Sequence, residues 1–161
     1  MYQKIVNEKN IHRATAKCEH SFIDHHGISK AIHTSICLGL EQLLSQYITK
    51  KIKGLKNIIK HIGKENIKLV LDGNHDFKLR KTLGLEVETI IHGDDLVKEI
   101  GIASILAKVQ RDAEMVAYHQ KHPRYGFDKH KGYGTLVHRQ ALQAHGPCKI
   151  HRKTYLTKLR A

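Results

Sequence analysis

The sequence predicts an α/β fold, and three observations carry that reading. Two short runs rich in aliphatic and β-branched residues, 67–71 and 86–92, each stop at a glycine beside an acid, as strands running out into tight turns do. Apolar residues recur at intervals of three and four over 27–50, the spacing of one helical face. A second long stretch, 95–121, continues without a strong breaker until Pro123. The 161 residues, 40% hydrophobic and 6% aromatic, suffice for one core, so a single domain over 1–161 is expected.

Taken in order, 11–18 alternate, with Ala14, Ala16 and Cys18 on one side and Arg13, Thr15 and Lys17 on the other. A period of two predicts a half-buried strand. Ile28, Ile32, Ile36, Leu40, Leu43, Leu44, Tyr47 and Ile48 then mark the helix over 27–50. The segment 50–60 keeps some helical period but carries Lys50, Lys51, Lys53, Lys56 and Lys60 around Gly54, and reads as a solvated face or surface insertion. A buried strand over 67–71 ends at Asp72-Gly73-Asn74, and a second over 86–92 ends at Gly93-Asp94-Asp95. Asp94 or Asp95 is placed to cap the helix 95–121, where a carboxylate can accept orphan backbone N–H groups. A helix over 136–145 closes at Gly146-Pro147, and a basic tail follows over 149–161, expected to be partly mobile.

Lys and Arg number 28 against 15 Asp and Glu, a net charge of +13 that favours a polyanionic partner through counterion release. Taken alone, this charge equally suits a basic protein with no nucleic-acid role. Cys18, Cys37 and Cys148 are odd in number and lack metal-ligand spacing, which suggests reduced packing thiols inside a cell. The first residues lack an apolar signal core, and no apolar run approaches the ~18 residues of a membrane span, so a cytoplasmic location and no membrane contact are expected.

Asp72 and Asp94 are candidate metal ligands. Two-metal phosphodiester hydrolysis needs clustered carboxylates, and neighbouring strands that end on one sheet edge bring such acids together. Both also suit plainer roles, Asp before Gly being an ordinary turn signal and Asp94 a helix cap. Gly73-Asn74-His75-Asp76 resembles a segment of calcineurin-like metallophosphoesterases. That family also needs an Asp and His pair and a Gly-Asp motif upstream, which this chain lacks, so the match reads as accidental. The fourteen histidines form no metalloprotease pair and no cysteine-histidine cluster, and most read as surface or core residues.

A more specific pattern begins at Gly101-Ile102-Ala103-Ser104-Ile105-Leu106-Ala107-Lys108-Val109-Gln110-Arg111-Asp112. It continues in order with Tyr125-Gly126-Phe127, Gly132-Tyr133-Gly134-Thr135, His145-Gly146-Pro147 and His151-Arg152. With Phe22-Ile23-Asp24 and Leu71-Asp72-Gly73-Asn74 upstream, these landmarks resemble ribonuclease HII along nearly the whole chain.

The resemblance implies a ribonuclease H-like mixed sheet flanked by helices, with a C-terminal helical part. It implies that Asp72 and Asp94 are the third and fourth of four catalytic carboxylates, serving Mg2+ or Mn2+, whereas Asp95 and Asp112 stand outside that set. Tyr133 matches the tyrosine that stacks on the sugar at an RNA-to-DNA junction. Lys108, Arg111, Lys129, Lys131 and Arg152 are candidate phosphate contacts, each equally suited to being a solvated charge, and His151 is expected near the substrate phosphate. The implied activity is cleavage of RNA in RNA/DNA hybrids and at ribonucleotides embedded in duplex DNA, with no obligate protein partner.

The family's Asp-Glu pair and Gly-Arg-Gly segment do not occur in this sequence. Met1 is expected to align inside the helix after the family's first strands, so the fold should lack those strands and expose sheet edges. Two carboxylates supply too little charge and too few oxygens for two hexacoordinate cations, so weak or no activity is expected of this chain alone. The alternative to a nuclease is therefore a non-catalytic nucleic-acid-binding fragment of the same fold, with the metallophosphoesterase a weaker third.

Overall fold

β1 (Lys68–Asp72) and β2 (Glu86–Ile90) pair in parallel, Lys68 opposite Glu86 and Asp72 opposite Ile90. The computed structural model describes residues 11–156, which fall into two compact units with their boundary between Ser104 and Ile105. Parallel strands cannot be joined by a tight hairpin. Here the crossover contains a short helix, α4 (Leu79–Leu83), anchored where the Arg80 guanidinium donates to the Val87 carbonyl at 2.6 Å.

The rest of the first unit is helical: α1 (His20–His26), α2 (Ile28–Leu44) and α3 (Leu55–Ile62), with a 3-10 turn at Ser45–Tyr47 after α2. Its core joins Leu40 and Leu44 of α2, Leu55, Ile58 and Ile59 of α3, and Ile67 and Leu85 at the starts of the strands. Ile58 is 0% exposed, and burying a side chain of that size contributes roughly 2–3 kcal/mol.

Two expectations are corrected here. Residues 11–18 form no strand, β1 and β2 being the strands among the described residues. The alternation survives as burial, with Ala14, Ala16 and Cys18 half-buried and Thr15 and Lys17 exposed. A strand needs a ladder partner as well as a pattern, and among the described residues no strand lies alongside to supply one. The lysine-rich segment 50–60 is not a solvated insertion. Its lysines are exposed, but Leu55, Ile58 and Ile59, at positions i, i+3 and i+4, turn one face of α3 into the core.

After β2 the chain makes a single helical turn, α5 (Gly93–Leu96), passes through an extended Val97 (φ −122°, ψ 117°), and enters α6 (Lys98–Lys121). The helix expected over 95–121 is thus split, and neither Asp94 nor Asp95 caps α6. Both lie in the first turn of α5, whose N-cap is His92 with no side-chain cap bond.

The second unit contains most of α6, a 3-10 turn at Pro123–Tyr125, α7 (Phe127–His130), α8 (Leu136–His145) and α9 (Lys153–Leu156). Met115, Tyr125 and Phe127 form its core, with Leu142, Cys148 and Ile150 packed on them. Thr135 caps α8 by accepting the His138 N–H at 3.3 Å, and Gly146 (φ 67°) ends it. Within the basic tail, α9 is formed; 157–161 lie outside the described residues.

Candidate active site

The parallel register brings the C-terminal ends of β1 and β2 side by side, and both end in acidic turns. The Gly73 N–H donates to the Ile90 carbonyl at 2.8 Å, continuing the ladder one residue past Asp72. Asp72 Oδ1 then accepts the Gly93 N–H at 2.9 Å, so its carboxylate reaches across to the turn that follows β2. Asp94 is the next residue along that turn, and both acids are exposed.

Three features hold the turn. His92 adopts a left-handed conformation (φ 57°), which reverses the chain directly after the strand. Gly93 is buried beneath Ile100, where a Cβ would lie 2.8 Å from Ile100 Cδ1. At Gly101 a Cβ would meet the Asp94 carbonyl oxygen at 2.7 Å, so only glycine lets α6 pass this close to the acidic turn. Sequence reasoning read Gly101 as part of a resemblance and missed its steric role.

Exposed carboxylate oxygens are hard donors, which suit Mg2+ or Mn2+ in kind. One Asp72 oxygen is already engaged by a backbone N–H, leaving Oδ2 and the Asp94 carboxylate as the outward-facing donors. Among the described residues no group of three His, Cys, Asp or Glu side chains is arranged to hold a metal ion.

Tyr133 and the five cations expected to contact substrate belong to the second unit. Tyr133 is 60% exposed on a turn between α7 and α8. Lys131 there is left-handed (φ 50°), and its ammonium folds back to donate to the Asp128 carbonyl, while Arg111 reaches the Lys131 carbonyl at 3.4 Å. Arg111, Lys131 and Tyr133 are therefore gathered at one turn. Lys108 lies one helical turn before Asp112 and pairs with it at 3.7 Å, and the Arg152 guanidinium stacks on Tyr155 at 3.9 Å. Lys129 is exposed.

The Tyr133 turn rests on buried imidazoles that the sequence did not single out as a group. His130, His138 and His151 are all buried, and each of their ring nitrogens has a hydrogen-bond partner. The Tyr133 carbonyl, which can only accept, lies 2.9 Å from His138 Nδ1, so that nitrogen carries the proton and Nε2 is bare. His138 Nε2 faces His151 Nε2 at 3.1 Å, so His151 Nε2 donates. His151 Nδ1 is then bare and accepts the Cys148 N–H at 2.9 Å. His130 Nε2 donates to the Tyr125 carbonyl at 2.6 Å and its Nδ1 accepts the Gly132 N–H at 3.2 Å. One proton per ring satisfies these contacts, with the Cys148 carbonyl 3.3 Å from the bare His151 Nδ1 as the one acceptor left facing an acceptor. Burial pushes His138 below the usual imidazole range and takes His151 down to about 4, despite the backbone contacts that oppose it. His151, expected near a substrate phosphate, instead has both nitrogens committed inside the unit.

The Gly73-Asn74-His75-Asp76 segment has a local structural role: Asp76 Oδ1 accepts the Lys78 N–H at 2.9 Å, shaping the entry to α4. No helix among the described residues is long and apolar enough to cross a membrane.

Comparison with known proteins bears on both sets of residues. Ribonuclease HII of Desulforamulus reducens is 44% identical over 116 residues, covering 72% of this chain and 56% of that protein. Ribonuclease HII of Nitrosospira multiformis is 51% identical over 88 residues, 55% of this chain and 42% of the relative. That of Bordetella pertussis is 50% identical over 86 residues, 53% and 41% respectively. The chain spans about half the length of the curated relatives it matches. The family model described as Ribonuclease HII matches residues 3–158, a range that takes in the paired strand ends, the glycine-tight acidic turn and the tyrosine turn alike, and the chain belongs to the ribonuclease HII family.

Proposed function

We propose that this chain carries part of the catalytic edge, and the junction-reading turn, of a divalent-metal-dependent endoribonuclease. It acts on RNA paired with or joined to DNA, cutting on the 5′ side of a ribonucleotide to leave 3′-hydroxyl and 5′-phosphate ends. The observation that carries this reading is the Asp72 Oδ1 to Gly93 N–H bond, which ties one carboxylate to the turn bearing the other.

Asp72 and Asp94 would hold Mg2+ or Mn2+, which when bound supplies positive charge beside the scissile phosphate and acidifies a water nucleophile. Tyr133 offers an exposed aromatic face to a ribose, and Arg111 beside it offers a cation to a phosphate. Lys108, Lys131 and Arg152 add positive charge that orients the duplex without reading its sequence.

The net charge of +13 also supports a second reading, binding of the duplex without cleavage. Incubation of the chain with a duplex containing one ribonucleotide and Mg2+ or Mn2+ separates the two. Cleavage that is lost in Asp72→Asn supports the nuclease; salt-sensitive binding with intact duplex supports the binding fragment. Absence of binding at low salt overturns both.

A further inference from the structure

We propose that His130, His138 and His151 are positioning residues for Tyr133, an uncharged buried relay that fixes the turn presenting the tyrosine to a ribose and, when protonated, loses its anchor on the segment beyond α8. The proposal rests on the reading of Tyr133 as a substrate contact.

An exposed aromatic flanked by Gly132 and Gly134 is costly to hold in one pose, because glycine loses the most backbone freedom on ordering. The backbone on both sides of Tyr133 is nonetheless fixed. Its carbonyl accepts both the Thr135 N–H at 2.8 Å and the His138 imidazole at 2.9 Å. Its N–H donates to the His130 carbonyl at 2.9 Å, and the preceding Gly132 N–H meets the His130 ring. Far from the turn, the chain of bonds ends on the Cys148 N–H, on the segment beyond α8.

The rings are also sealed against water. His130 and His138 stack at 4.3 Å with planes 15° apart, and Phe127 packs edge-on against both, at 5.9 and 5.5 Å. Tyr125 lies 5.0 Å from His151. A proton added to His151 must go on Nδ1, where it displaces the Cys148 N–H and faces the Cys148 carbonyl at 3.3 Å, and one added to His138 must go on Nε2, which faces the His151 donor. Either breaks the link from His138 through His151 to Cys148 and leaves a buried cation among neutral rings, although the His138 Nδ1–H still donates to the Tyr133 carbonyl.

The surrounding titratable groups offer little to offset that. From the 3-10 turn and its approach come Tyr125 and His122, and from α8 comes His145. Cys148 contributes a thiol 3.2 Å from His151 Nδ1. From α7 comes Asp128, whose carboxylate faces His119 of α6 at 3.0 Å, and Arg111 and Lys131 flank the turn itself with positive charge.

The test uses the full chain, labelled with 15N, and needs no metal. Long-range 1H–15N spectra at pH 7 should show neutral His138 protonated on Nδ1 and neutral His151 protonated on Nε2. A charged ring or the reverse tautomers would overturn the proposal even if no variant folds.

Binding to a fluorescein-labelled duplex with one ribonucleotide gives the second readout. His138→Ala should weaken binding about tenfold, as Tyr133→Ala should, and should add nothing in a Tyr133→Ala background. His138→Asn, whose side-chain amide can still donate to the Tyr133 carbonyl, should recover most of the loss. The advantage of the parent over Tyr133→Ala should shrink towards one as the pH falls from 7 towards the His151 value of about 4. Parent-like binding by His138→Ala alongside weak binding by Tyr133→Ala overturns the relay alone. Parent-like binding by Tyr133→Ala overturns the substrate reading, and the relay's purpose with it.

Discussion

The acidic turn of the first unit and the tyrosine turn of the second are both glycine-rich, and they are built by opposite means. At the acidic turn, shape comes from close backbone approach: Gly93 buried under Ile100, Gly101 against the Asp94 carbonyl, and one carboxylate bonded to a backbone N–H. Its charges face solvent. At the tyrosine turn, shape comes from neutral imidazoles with every nitrogen engaged, and the Tyr133 ring stands exposed above them. The first arrangement leaves carboxylate oxygens exposed, and the second leaves an exposed aromatic ring beside the Arg111 and Lys131 cations. The difference teaches that the two turns should fail under different insults, one to added bulk or lost charge and the other to acid.

Loss of charge gives the largest expected effect. Asp72→Asn keeps an oxygen for the Gly93 N–H, so thermal unfolding should stay close to that of the parent. Metal-dependent cleavage should fall about a hundredfold or more, measured on a ribonucleotide-containing duplex. An unfolding midpoint that drops sharply would instead make Asp72 a structural residue.

Added bulk comes next. Gly101→Ala sets a methyl 2.7 Å from the Asp94 carbonyl oxygen, and relieving that contact should cost roughly 1–3 kcal/mol in urea unfolding. Asp94 should move with the turn, so activity should fall further than the loss of folded protein accounts for.

Acid should act on the other turn. His151 titrates at about 4 in the fold against an ordinary 6.5, so between those values the unfolded chain binds the extra proton and the folded one does not. The stability from this residue is complete above pH 6.5 and is lost as the pH falls towards 4. His151→Phe should flatten that part of the pH dependence of unfolding. A slope unchanged by the substitution would place the acid sensitivity elsewhere. The smallest effect belongs to Lys108→Ala. Lys108 is exposed and only loosely paired with Asp112, so stability should shift by less than about 0.5 kcal/mol, and the salt dependence of duplex binding should become slightly shallower.

The acidic turn was largely legible in the sequence and the histidine relay was not, for a physical reason. Leu71-Asp72-Gly73 and His92-Gly93-Asp94 are local patterns, a run of apolar residues meeting a turn residue, and local patterns specify strand ends. His130, His138 and His151 are separated by eight and thirteen residues and meet only because Phe127 and Tyr125 gather α7, α8 and the following segment around them. α3 was misread because five lysines obscured Leu55, Ile58 and Ile59, although the spacing of those three was already that of a buried helical face. Residues 11–18 carry a strand's alternation without a partner among the described residues, and pairing is not written in the segment itself. The break at Val97 is not legible in the sequence, because apolar residues run through it without interruption.

The central claim is that Asp72 and Asp94 form one cation-facing edge, and manganese broadening of amide resonances tests it most directly. Substoichiometric Mn2+ added to the 15N-labelled chain should broaden Asp72, Gly73, Gly93 and Asp94 first, and Asp72→Asn should abolish that preference. Broadening that starts elsewhere, or that persists unchanged in Asp72→Asn, would contradict it.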